Sequence, residues 1–195
     1  MWIIIRKLIH IAFIWIPILY LHCDKKVYLI ITGLLLLTAF IIEILRHKNK
    51  KVKDLFFKIV GKMLWKKEAE YLTAATYFLI STFFTGLIFK KEIVILSLFF
   101  LCISDTLAYF FGTYILKKDF KCISGSIFMF LCSVVIVLAL RIVDLYTGII
   151  GAFFSSLAQH YIKKIDDNIT IPFSSCISMT LFQLLYFNST VNLTG

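Results

Sequence analysis

Long apolar runs alternate with short polar breaks along this chain, and the breaks are spaced for helices that cross a bilayer. The runs cover about Leu8–Leu21, Val27–Leu45, Tyr71–Phe89, Ile93–Leu116, Cys122–Leu140, Leu145–Ile162 and Ile169–Tyr186. An α-helix rises ~1.5 Å per residue, so roughly 20 apolar residues cross a hydrocarbon layer ~30 Å thick. The pattern predicts an all-α integral membrane protein with about seven transmembrane helices in a single polytopic domain, residues 1–195. Between residues 46 and 70 the pattern changes. Leu55, Phe56, Ile59, Val60, Met63 and Leu64 recur at helical spacing among lysines. That spacing predicts a basic amphipathic helix lying on the membrane surface.

Composition supports the same class. The hydrophobic fraction is 61% and the mean hydropathy +0.93, against about 45–50% apolar residues in soluble domains. A net charge of +10 would suggest nucleic acid for a soluble chain. Here the basic residues lie between the spans, which argues against nucleic acid and for an inner-leaflet or phosphate-binding role. If the N-terminus is cytoplasmic, every Lys and Arg except Lys25, Lys26, Lys90, Lys91 and Arg141 falls on the cytoplasmic side. The positive-inside rule then predicts N-terminus inside and C-terminus outside. The first helix is read as retained: apolar residues precede Arg6-Lys7, and Tyr20-Leu21-His22-Cys23 offers no small-residue cleavage site. The five cysteines are scattered without a Cys-x-x-Cys pair, so they read as small core residues, neither a disulfide framework nor a zinc site. The expected location is a multi-pass bacterial inner-membrane or endoplasmic-reticulum protein.

Three clusters carry candidate chemistry. Asp105 stands inside the apolar run Ile93–Leu116, where a charge costs several kcal/mol (roughly 2.5–3.5) and usually faces a cavity or an ion. Ala108, Tyr109 and Gly112 follow it at helical offsets of three, four and seven, and the small residues allow a close approach. Lys117, Lys118 and Lys121 lie just beyond, ahead of Gly125-Ser126. A lysine beside the N–H groups of a helix start suits a phosphate, although an ordinary positive-inside loop explains the same residues. Asp166-Asp167-Asn168, with Pro172 in the first turn of the next helix, offers hard oxygens for magnesium. It equally offers a helix cap, and the two readings stand level. Glu43 and Arg46 read as an ordinary i,i+3 surface pair, and Arg6-Lys7 as an orienting charge pair.

Taken in order, the motifs Arg-Lys-x-x-His from Arg6, Glu43-x-x-Arg46, Asp105-x-x-Ala-x-x-x-Gly112, Lys121…Gly125-Ser126-x-x-x-Phe130 and Asp166-Asp167-Asn168-x-x-Ile-Pro172 resemble the CTP-dependent lipid kinases. That family includes dolichol kinase, phytol kinase and the CTP-dependent diacylglycerol kinase, and is related to phosphatidate cytidylyltransferase. The resemblance implies transfer of the γ-phosphate of CTP, with Mg2+, to a membrane lipid alcohol at the cytoplasmic face. It implies a nucleotide site of Arg6, Lys7, Gly112, Lys121, Gly125, Ser126 and Asn168. Asp105, Asp166 and Asp167 would be metal ligands and, with Lys121, the catalytic groups. The general base stays open between Asp105 and the Asp166/Asp167 pair. Two carboxylates common in that family are absent here: Ser124 and Gln159 stand in their places, and Ala74 stands where the family often has Gly.

Two rival readings follow from the same residues. A phosphatidate cytidylyltransferase would also use CTP and a membrane lipid, but its C-terminal His-Gly-Gly…Asp-Arg signature is missing. A transporter or non-catalytic membrane subunit would use Asp105 as an ion site, yet the outer halves of the spans offer no polar path beyond Ser and Thr.

Overall fold

Asn49 makes the sharpest break in the chain. Its backbone is extended (φ −120°, ψ 116°), and its side chain accepts from the N–H groups of Lys51 (2.9 Å) and Val52 (3.4 Å). It thereby ends one helix and caps the next. The computed structural model in which this is seen describes residues 7, 10–61, 64, 68, 70–117 and 122–193, with residues 187–193 as backbone alone. Its helices are α1 (Trp15–His22), α2 (Lys25–Lys48), α3 (Lys50–Val60), α4 (Ala74–Ile88), α5 (Lys91–Ile115), α6 (Ile123–Leu140), α7 (Leu145–Tyr161) and α8 (Asp167–Leu193). No strand occurs among the described residues.

Local chemistry sets the ends. Arg46, His47 and Lys48 occupy the last turn of α2, where cations complement the helix dipole. Thr73 caps α4 by accepting from Thr76 N–H, and Asp144 caps α7 by accepting from Thr147 N–H at 2.9 Å. The Thr73 cap explains why α4 starts later than the apolar run from Tyr71 predicts. The amphipathic pattern forms a helix over Lys50–Val60, with Leu55 and Ile59 exposed. Met63 of that pattern lies outside the described residues.

Among the described residues, four helices are long and apolar enough to cross a membrane: α2, α5, α6 and residues Asp167–Tyr186 of α8. They differ sharply in surroundings. In α5, 83% of the most apolar stretch is buried, against 22% in α2 and 28% in α6. Helix α5 is therefore the axis of the bundle, and the others turn an apolar side outward. Ile30, Leu34 and Leu37 of α2, Val135 of α6 and Leu185 of α8 are all exposed, a surface suited to lipid and unlike that of a water-soluble monomer. Helix α5 is also irregular: π-helical turns at Phe100–Asp105 and Phe111–Ile115 flank an α-helical turn at Thr106–Phe110.

Successive helices run antiparallel. Tyr28 donates to the carbonyl of Thr82 while Glu43 reaches Thr76, which fixes α2 against α4. Phe111 stacks on Phe128 (centroids 4.1 Å apart), which fixes the end of α5 against the start of α6. Between α6 and α7 the contact is closest at Gly148, where an added Cβ would collide with both methyl groups of Val137 (2.9 Å to the farther). Val137 is buried and β-branched, so it cannot swing aside. Gly148→Ala is expected to lower stability by about 1–3 kcal/mol, read as a reduced Tm in detergent. An unchanged Tm would mean that the two helices separate freely.

Candidate functional site

One end of the bundle gathers the polar residues. The end of α2 meets the start of α4, and the start of α6 meets the end of α7. Asp166, Glu43 and Glu68 all lie within electrostatic reach of Tyr77 in the first turn of α4. Helix α5 also runs toward this end, its last turn packing on the start of α6. This is the basic end of the molecule, carrying Arg46 and the lysines of α3.

Asp105 is fully buried, and its Oδ2 accepts from Lys7 Nζ at 2.5 Å, a contact spanning 98 residues. The ammonium also sits 5.2 Å from the ring centroid of Tyr109, where the ring face is attractive to a cation. A charge of either sign would be costly here alone; together they are tolerated. Ala108, Tyr109 and Gly112 are all buried with Asp105. The second carboxylate oxygen, Asp105 Oδ1, is buried with no hydrogen-bond partner.

The turn before α8 lies at the same level. Cys176 Sγ donates to Ser97 Oγ at 3.2 Å, which sets the antiparallel register of α8 against α5. Eight residues toward the basic end on each helix stand Asp105 and Asn168. Asn168 is buried and its Oδ1, like Asp105 Oδ1, has no partner. Its Nδ2 and backbone N–H both go to Asp166 Oδ1, at 2.6 and 3.0 Å. Asp166 is therefore the N-cap of α8, and the capping reading of this cluster is realised. Pro172 falls in the second turn, not the first as expected. Its missing N–H leaves the Asn168 carbonyl without its helical donor, so Asn168 presents two oxygens free of the usual backbone pairing.

A third group joins α6 to α7. Ser126 Oγ donates to Gln159 Oε1 (3.0 Å) and lies 3.3 Å from His160 Nδ1. Gln159 is fully buried and its Nε2 has no partner. Gly125, also buried, precedes Ser126 in this turn.

The Glu43–Arg46 pair differs most from expectation. Both side chains are buried, 4% and 1% exposed, where the spacing suggested a surface pair. Glu43 accepts from Arg46, from Thr73 N–H (2.8 Å) and from Thr76 Oγ1 (2.8 Å), while Arg46 also donates to the Tyr71 carbonyl. The guanidinium lies 5.2 Å from the ring centroid of Phe56, tying α3 into the same joint. Glu68 Oε1 accepts from Ala74 N–H. A carboxylate and a guanidinium near the end of an apolar helix were the available sequence signal; their partners, 25–33 residues away, were not.

The structure thus pairs Lys7 with Asp105 and Asn168 with Asp166, and places Gly125 and Ser126 in the first turns of α6. Gly112 is buried in the last turn of α5, which packs on α6. Arg6 and Lys121 lie outside the described residues. Among the described residues, no three His, Cys, Asp or Glu side chains group closely enough to hold a metal ion: Asp105 is engaged by Lys7 and Asp166 by the first turn of α8. The oxygens present fit magnesium held mainly by phosphate and water, with one or two protein donors, and do not form an all-protein cage.

The sequence matches no family model and no solved structure. It is 28% identical over 195 residues to an uncharacterized protein of Rickettsia prowazekii (strain Madrid E), covering 92% of this chain and 94% of that protein. The likeness runs nearly end to end and is not confined to one motif.

Proposed function

We propose that this chain is a CTP-dependent lipid kinase that transfers the γ-phosphate of CTP to a membrane lipid alcohol at the cytoplasmic face. In this reading seven helices cross the membrane, the N-terminus is cytoplasmic and the basic end faces the nucleotide. The observation that carries it is the buried Lys7–Asp105 pair, whose partnerless Asp105 Oδ1 stands level with Asn168. A polar group this deep in an apolar bundle marks a functional site by its cost alone.

Phosphoryl transfer asks mainly for positioning and for charge to meet charge. Lys7 holds Asp105 by its Oδ2 and fixes its rotamer, so that Oδ1 points at a defined place. Asp166 Oδ1 is occupied by the Asn168 amide and N–H, which leaves Asp105 Oδ1 as the group to accept the alcohol proton. Arg6 and Lys121 counter the triphosphate charge, and the backbone at Gly125-Ser126 holds phosphate oxygens at the start of α6. Magnesium, when bound with the nucleotide, would neutralise phosphate charge, and Asp105, Asp167 and Asn168 would hold it.

The test is label transfer in membranes holding the protein, mixed lipid alcohols, magnesium and CTP labelled at either the α- or the γ-phosphate. Lipid label from the γ position alone is expected, falling at least about a hundredfold in Asp105→Asn, as for loss of a general base. Label from the α position alone would show cytidylyl transfer instead. Label from neither, with folded protein, would sink the kinase reading.

A further inference from the structure

We infer that Gln159, Ser126 and His160 form a phosphate subsite with the start of α6, in which the Gln159 amide is a donor to non-bridging phosphate oxygens. It rests on the nucleotide reading above and adds residues to it. The first N–H groups of an α-helix have no partner within the helix. Here the N-cap residue is Cys122 and no side chain caps the turn, so the N–H groups of Ile123, Ser124 and Gly125 are left for a ligand. Ser124 is exposed, and this turn opens to the outside of the bundle.

A bare helix start would not be enough, but the buried side chains beside it are ordered in one direction. A serine hydroxyl has a single proton to give. The shorter of its two contacts with acceptors leads from Ser126 to Gln159 Oε1, at 3.0 Å against 3.3 Å to the Cys122 carbonyl. Ser126 must then accept from His160, which places the imidazole proton on Nδ1. The relay ends at Gln159 Nε2, whose two N–H bonds have no acceptor in a fully buried setting. Leaving a buried donor unmet is costly. Because Oε1 of the same amide is bonded to Ser126, the unmet donors belong to the same end of α6 as the N–H groups of residues 123–125. A row of donors with no acceptor calls for an anion with several oxygens, and phosphate meets that description.

The same geometry gives meaning to the residue type. A carboxylate at position 159 would accept from Ser126 equally well, but would present an oxygen where the amide presents N–H. It would attract a cation and repel phosphate. The glutamine therefore commits this corner to the phosphate chain and leaves any cation to the Asp105–Asn168 level.

The test uses the full chain in detergent, magnesium-free buffer and inorganic pyrophosphate as the probe. Calorimetry is expected to show one pyrophosphate bound, weakened at least about tenfold in Gln159→Glu, the loss of one charge-assisted hydrogen bond. Hydrogen exchange on the unaltered protein guards against a variant that simply misfolds: pyrophosphate is expected to slow the amides of residues 123–125. Equal affinity in Gln159→Glu, no binding by the unaltered protein, or saturation without slowed exchange at 123–125 would each overturn the subsite. Intact pyrophosphate binding together with absent lipid labelling would refute the kinase reaction and leave the subsite standing.

Discussion

Lys7→Met is expected to destabilise the protein by about 3–5 kcal/mol, because it strands Asp105 as an unpaired charge in an apolar interior. The side chains are nearly matched in length, so the loss is electrostatic and not a packing defect. The informative variant is the double one. Lys7→Met with Asp105→Leu removes both charges, and replacing a buried pair by apolar groups is often neutral or stabilising. The double variant is therefore expected to recover most of the lost stability, measured as Tm in detergent, while lipid labelling stays absent. Recovered stability with recovered activity would show that the pair has no part in chemistry. Failure of the double variant to recover stability would show that Lys7 and Asp105 do not depend on each other.

The second large effect is an asymmetry within the Glu43–Arg46 joint. Glu43→Leu leaves the guanidinium buried with the Tyr71 carbonyl and the Phe56 ring, and strands the Thr73 N–H as well. Its expected cost is about 3–5 kcal/mol. Arg46→Leu also gives up the bond to the Tyr71 carbonyl, but it leaves the carboxylate with two donors, from Thr73 and Thr76, so its expected cost is smaller, about 1.5–3 kcal/mol. Hydrogen exchange gives a local check: Glu43→Leu is expected to speed exchange in residues 73–76, and Arg46→Leu to do so less. If Arg46→Leu proved the more damaging, the guanidinium and not the carboxylate would be the organiser of this joint.

What could be read from the sequence follows from what is local. Apolar runs long enough for helices announced α2, α5, α6 and α8, because length and hydropathy are properties of consecutive residues. Asp105 announced itself for the same reason, as a charge inside such a run. Its partner did not: Lys7 is 98 residues away, and at that distance a lysine near the N-terminus looks like any orienting charge. Glu43 and Arg46 were misjudged for a related cause. Their i,i+3 spacing describes an exposed pair and a buried one equally, and only the returning segment from Tyr71 to Thr76 decides which. Gln159 reads as a missing carboxylate; the serine that joins it to His160 comes from another helix. Pro172 was placed one turn too early because the start of α8 depends on which residue of the Asp166-Asp167-Asn168 run turns back to cap it.

The π-helical turn at Phe100–Asp105 has a consequence for how this chain tolerates insertions and deletions. A π-turn carries one residue more than the α-turn it replaces. Deleting any one residue of 100–104 would let α5 close into regular α-helix with little loss of backbone bonding, so such a deletion need not unfold the bundle. A turn of either kind closes through about 360°, so the residues beyond the deletion would keep their angular phase and Asp105 would still face Lys7. The extra residue is thus slack in the helix: one half is seated by packing, the other carries the carboxylate, and the two stay in phase whether or not that residue is present.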